Sequence, residues 1–136
     1  MADPPVIREK DVPSLQVKLS SYLEDNGIGT RGTDLWEQQM PETPTNATAV
    51  VMTGGPILPE DPTRRISFQV LHRNKHAGTG LRKAKEINNL LDNQWNVLGC
   101  FPGRITAVSE VGASFKDDSG NSVFPMNFSL TSTYQG

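Results

Sequence analysis

The stretch that most limits what this chain can fold into runs from Arg65 to Leu91, where two hydrophobic periods follow one another directly. In Arg65-Ile66-Ser67-Phe68-Gln69-Val70-Leu71, apolar Ile66, Phe68 and Val70 alternate with polar Arg65, Ser67 and Gln69. That is the period of a half-buried strand. His72-Arg73-Asn74-Lys75-His76 leads out of it, and Gly78-Thr79-Gly80 breaks the chain. Leu81, Ala84, Ile87, Leu90 and Leu91 then recur at helical spacing, with Arg82, Lys85, Glu86 and Asn89 on the other side. Together these predict a sheet with a helix laid on it.

The remaining elements are read by the same signals. A first helix is expected from about Val12 to Asp25. Pro13 is tolerated in its first turn, Asn26-Gly27 stops it, and Val12, Leu15, Leu19, Tyr22 and Leu23 share a face. Val17 falls nearly opposite, as a scattered exposed residue. Gly27-Ile28-Gly29-Thr30-Arg31-Gly32 is a tight turn onto the sheet, and strands follow at Asp34–Glu37 and Ala47–Thr53. Gly54-Gly55-Pro56 and Pro59-Glu60-Asp61-Pro62 exclude regular structure before the central strand. Trp95, Val97, Leu98 and Phe101 are expected to cover one edge of the core. A strand over Arg104–Val111 is followed by a hairpin turning at Asp117-Asp118-Ser119-Gly120-Asn121. The last strand alternates through Phe124, Met126, Phe128 and Leu130, and Pro125 in it suggests an edge or bulge. The fold class is α+β: a mainly antiparallel sheet of about four to six strands, two helices packed on it, and a protruding β-hairpin. Residues 1–10 form an N-terminal arm and 11–136 a single domain.

Composition narrows the functional classes. A net charge of -2 gives no general electrostatic footprint for tight nucleic-acid binding. The single Cys100 cannot form an internal disulfide, and no apolar run approaches the roughly 20 residues of a membrane span. A soluble, intracellular protein without a membrane partner is expected. Ten prolines and twelve glycines imply long loops around a small core, a composition that leans towards assembly.

No motif carries catalysis. His72 and His76 stand four apart, but at a strand end and in a loop, where solvated histidines are the ordinary case, and no Glu follows His72. Gly78-Thr79-Gly80 with Arg82, Lys83 and Lys85 offers an anion site at a helix N-terminus, yet reads better as a helix start capped by Thr79. The 117–121 acidic turn lacks the spacing and closing Glu of a calcium loop. Cys100, between Gly99 and Phe101, reads as a buried thiol. No enzyme, cofactor or metal is expected.

The order of features resembles the tail-terminator proteins of long-tailed bacteriophages, also described as minor capsid or tail-completion proteins. The likeness is carried by the Leu15–Leu23 helix, the glycine loop to Asp34-Leu35-Trp36, and the Met40-Pro41 loop before Ala49-Val50-Val51-Met52-Thr53-Gly54-Gly55-Pro56. The Ile66–Arg73 strand running into the Leu81–Leu91 helix, and Asp118-Ser119-Gly120 before Val123–Leu130, complete it. It covers about residues 10 to 134. The resemblance implies a virion structural protein at the head-proximal end of the tail, assembled in the bacterial host cytoplasm. Its copies would form a homohexameric ring that caps the tail tube protein, stops its polymerisation and faces the head–tail connector. Genomic DNA would pass the lumen unread, and there are no active-site residues to carry over. On this reading the interfaces fall on loops 27–33, 39–48 and 54–64 and on hairpin 114–122, which reach outward from the core. Arg31, Arg64, Arg65, Arg73, Lys75, Arg82, Lys85, Lys116, Asp117 and Asp118 are the candidate subunit or DNA-lumen contacts. The rivals are another neck component, such as a head–tail joining protein, and a small ligand-binding regulatory domain using the Gly78–Arg82 helix start.

Overall fold

The computed structural model describes residues 12–54, 63–98, 103–109, 111 and 114–133. The expected arm at 1–10, Cys100, Phe101 and most of loop 54–64 lie outside them. The order is α1 (Val12–Asp25), β1 (Leu35–Glu37), β2 (Ala47–Gly54), β3 (Thr63–Asn74), α2 (Ala77–Leu91), β4 (Gln94–Trp95), β5 (Arg104–Ala107), β6 (Phe115–Lys116) and β7 (Ser122–Thr133). Among the described residues the strands form one seven-stranded sheet in the order β1-β2-β3-β7-β5-β4, with β6 also pairing β7. The α+β class holds, but the sheet is mixed: β1 runs parallel to β2, and the other pairs are antiparallel.

The central ladder explains the layering. β3 and β7 pair along twelve positions, putting Ile66 opposite Leu130, Phe68 opposite Phe128, Val70 opposite Met126 and His72 opposite Phe124. These side chains lie on one face, because alternate residues of a strand share a face. Phe68 and Phe128 stack with centroids 5.3 Å apart. Leu15, Leu19 and Leu23 of α1 and Ala84, Ile87 and Leu91 of α2 join them in a single buried cluster, so both helices cover that face. Among the described residues the opposite face carries no helix.

Local chemistry sets the boundaries. α1 ends as the sequence predicts: Ile28 N–H donates to Leu23 O and Gly27 N–H to Glu24 O, with Gly27 at φ +79°. That is the two-bond glycine stop, which needs the left-handed conformation. The 78–80 triplet does not break the chain. It lies in the first turn of α2, whose N-cap is His76, without a side-chain cap from Thr79. Gly80 is required by packing: a Cβ there would stand 2.5 Å from the Phe124 ring and 2.9 Å from Asn74 Cβ. Pro125 is not on an edge strand. It sits where β7 pairs β3 on one side, while on the other side, among the described residues, no strand pairs it between β6 at Ser122–Val123 and β5 at Phe128–Thr131. β5 stops at Ala107 rather than Val111, and Trp95 does not cover the core. It is 62% exposed, whereas Leu98 is buried.

Candidate assembly surface

Among the described residues, the turns and loops at 26–34, 38–46, 75–76 and 117–121 collect at one end of the sheet, where β1, β2 and β7 begin and β3 ends. The largest departure from expectation is here. Arg73 pairs with Ala47 across β2–β3, on the helix-free face, and it is buried. Its Nε donates to Thr45 O at 2.8 Å, and its Nη2 faces the carbonyls of Pro44 at 2.9 Å, Glu42 and Pro41. The 41–45 segment therefore folds back over the sheet instead of reaching outward. One planar, permanently charged donor group holds carbonyls that lie in no ladder. Asn46 Oδ1 fastens the next residue by accepting from Lys75 N–H at 2.9 Å.

The inner face at this end holds a second polar group. His72 is not a solvated loop residue: it lies in β3, 4% exposed. His76 N–H donates to Asn74 Oδ1, which leaves Asn74 Nδ2 to donate to His72 Nε2 at 3.2 Å. The ring must then carry its proton on Nδ1 and donate it to Thr48 Oγ1 at 3.0 Å. Burial, and after it the nearby Lys83 charge, push the imidazole down to about 4. Asp34, Asn46 and Lys83 share the adjoining small cavity of about 170 Å³. His72 is thus a neutral structural element, and the four-residue spacing to exposed His76 brings no pair of ligands together.

At the β1 edge, Arg31 is committed to internal partners. Its Nη2 and Nε reach Glu37 Oε1 at 2.6 and 3.0 Å, and its backbone N–H donates to Glu24. The Glu37 carboxyl also accepts from Ser20 Oγ. That bond first, and the Arg31 guanidinium with it, hold the carboxyl below its usual range. Gln16 Nε2 donates to Val50 O and to Gln38 Oε1, pinning α1 to the end of β1.

The hairpin forms as expected and is held locally. Asp117 Oδ1 accepts from Ser119 N–H and Asn121 N–H, Gly120 takes φ +81°, and Lys116 Nζ donates to Ser122 Oγ. These backbone bonds, that from Asn121 foremost, hold the Asp117 carboxyl below the ordinary carboxylate range. Asp118 is exposed at the tip.

The candidate basic residues do not form one patch. Arg65 and Lys75 are exposed at opposite ends of β3, about 33 Å apart at the rise of an extended strand. Arg82 and Lys85 project from α2 in the helix layer, and Arg64 is the second residue of β3, beyond Arg65. What sequence reasoning missed is apolar: Trp95, Val108 and Phe115 are 62%, 64% and 54% exposed, with the Arg104 guanidinium 5.6 Å over the Trp95 ring. No periodicity marks them, because β4 and β6 are two residues long. No helix among the described residues is long and apolar enough to cross a membrane.

Comparison with known proteins adds to this geometry. The model of a family described as bacteriophage tail terminator protein matches residues 22–134. No curated protein matches. A solved structure superposes with a TM-score of 0.58 at 12% identity, covering 96% of this chain and 99% of that one. At that identity the likeness concerns the fold alone.

Proposed function

The chain belongs to the bacteriophage tail-terminator family, and from that premise we propose that it closes into a homohexameric ring on the completed tail tube. There it stops addition of the tail tube protein and presents its other surface to the head–tail connector. Its place is then the head-proximal end of the virion tail, and its role is structural rather than catalytic. The family match across residues 22–134 carries the reading. The tied loops at one end of the sheet support it, since a ring that must stack on a tube and a connector gains from surfaces ordered before contact. Genomic DNA passes through the lumen without being read. Of the candidate cations, exposed Arg65, Lys75, Arg82 and Lys85 are placed to touch phosphates in passing.

Removing the gene from its phage tests the role. Loss of a terminator gives tails of abnormal length. Tails of normal length detached from heads would instead assign the protein to head–tail joining. The ring itself is tested by negative-stain microscopy and sedimentation of the purified protein. A chain that stays monomeric at high concentration and does not bind tail tubes would sink the proposal.

A further inference from the structure

Charge on this chain is sorted between the two faces of its sheet. Resting on the ring reading above, we propose that the helix-free face of β3, β7 and β5 is the surface turned to DNA in the lumen. Its occupant is the phosphate backbone of a nucleic-acid duplex, touched by Arg65 and Arg104. Of the four exposed cations named above, only Arg65 stands on the strands of this face, and Arg104 joins it.

The ladder register builds a row across the face. Thr131 of β7 lies opposite Arg65 of β3 on one side and Arg104 of β5 on the other, and Trp95 of β4 lies opposite Arg104. Directly opposed residues share a face, so Arg65, Thr131, Arg104 and Trp95 stand side by side, away from Ile66, Leu130 and the helices. At the spacing of adjacent strands the two arginines are about 10 Å apart at the backbone, with a hydroxyl between them. Arg65 is exposed, and the Arg104 guanidinium is stacked on the exposed Trp95 ring. Neither is in an ion pair among the described residues.

Behind this row the face is polar but uncharged. Ser67, Ser129 and Thr106 form the next row. Gln69 and Asn127, hydrogen-bonded to each other at 3.2 Å, form the one after. No carboxylate occupies a described strand position of this face. Glu42 and Asp117 belong to the loops at the Arg73 end, about 27 Å along β3 from Arg65. The chain as a whole carries a net charge of -2, so a face with only positive charges does not follow from composition. Arginine, serine, threonine, asparagine and glutamine are side chains that meet phosphate oxygens without reading sequence. The centre of a protein–protein contact is apolar, whereas the centre of this patch is hydroxyl and amide. Few cations among neutral polar groups let a duplex pass rather than hold it, because affinity follows the number of phosphates neutralised.

Binding of a short mixed-sequence DNA duplex to the purified ring tests this, read by fluorescence anisotropy across a salt series with far-UV circular dichroism as the folding control. Wild type should bind weakly at low salt and release the duplex as salt rises. Arg65→Ala and Arg104→Ala should each weaken binding at least about fivefold and flatten the salt dependence. Arg104→Lys should recover most of the loss, because a phosphate also accepts a point charge. Lys18→Ala removes the same charge from an exposed position of α1, in the helix layer, and should bind as wild type does. In the Trp36→Phe protein Trp95 is the only tryptophan left, and the duplex should shield it from acrylamide. Three results would each overturn the face assignment while the ring reading stands. They are wild-type rings that bind no duplex at low salt, a Lys18→Ala loss as large as that of Arg65→Ala, and acrylamide reaching Trp95 as freely with duplex as without. A wild-type chain that neither self-associates nor joins tail tubes overturns both.

Discussion

The 41–45 loop and the 117–121 hairpin turn lie at the same end of the sheet, and both read from sequence as outward-reaching contact loops, yet they are held by opposite means. The loop is fastened from beneath by Arg73, a residue about thirty positions away in sequence. The turn is fastened by Asp117, within four residues of every group it binds. A loop fixed by a tertiary contact keeps its shape only while the sheet is intact. A self-tied turn keeps its shape locally and can move as a unit beyond its flanking strands, two-residue β6 and the start of twelve-residue β7. On the ring reading, the first suits a surface that must be rigid before assembly and the second a contact that adjusts during it.

Removing the tertiary tie should have the largest effect. Arg73→Ala leaves the carbonyls of Pro41, Glu42, Pro44 and Thr45 under cover without their charged donor. A loss of about 2–4 kcal/mol is expected, read from the denaturant midpoint, together with faster amide exchange across 39–48. Arg73→Lys should recover only part of it, since an ammonium does not reproduce the planar spread of a guanidinium. A cost below about 1 kcal/mol with unchanged exchange would show that the loop is held by something else, and the contrast would collapse.

Acid should loosen the same end next. The His72 ring titrates near 4 in the folded chain, against about 6.5 when unfolded. The unfolded state therefore binds more protons between those values. The contribution is fully present above about pH 6.5 and is lost as pH falls towards 4, to a limit of up to about 3 kcal/mol. Unfolding midpoints measured from pH 7 to pH 4 should fall accordingly, and His72→Asn should flatten the slope. An unchanged slope in that variant would place the titration elsewhere.

Neither Arg73 nor His72 was legible as a structural residue, and the reason is physical. The apolar alternation in β3 ends at Leu71, where the residues cease to be apolar, although the strand continues to Asn74. Carried three residues further, the same period puts His72 on the face of Ile66, Phe68 and Val70, and Arg73 on the face of Leu71. Burial of a polar side chain depends on partners brought by distant chain, here Thr48 and the 41–45 carbonyls, and no local pattern announces them. The elements that were legible (α1 to both ends, β1, β2, the β3–α2 unit, the hairpin and β7) are those whose signal lies within one segment. The strand at β1 was expected but not its parallel direction, which three residues do not signal; β4 is too short to show a period, and neither it nor β6 announces the exposure of Trp95 and Phe115.

The smallest effects belong to the hairpin, and they should be of a different kind. Gly120 holds φ +81° in open space, so Gly120→Ala meets backbone strain but no clash and should cost about 1 kcal/mol. Asp117→Ala removes the acceptor for Ser119 and Asn121 from a turn already in water. The thermal midpoint should barely move, while amide exchange at Ser119 and Asn121 quickens and exchange across β3 does not. Because those bonds hold the Asp117 carboxyl below its ordinary range, the wild-type turn should keep its protection until pH falls below that range. If Asp117→Ala instead lowered the global midpoint as Arg73→Ala does, the hairpin would be part of the cooperative core, and its freedom to adjust during assembly would have to be given up.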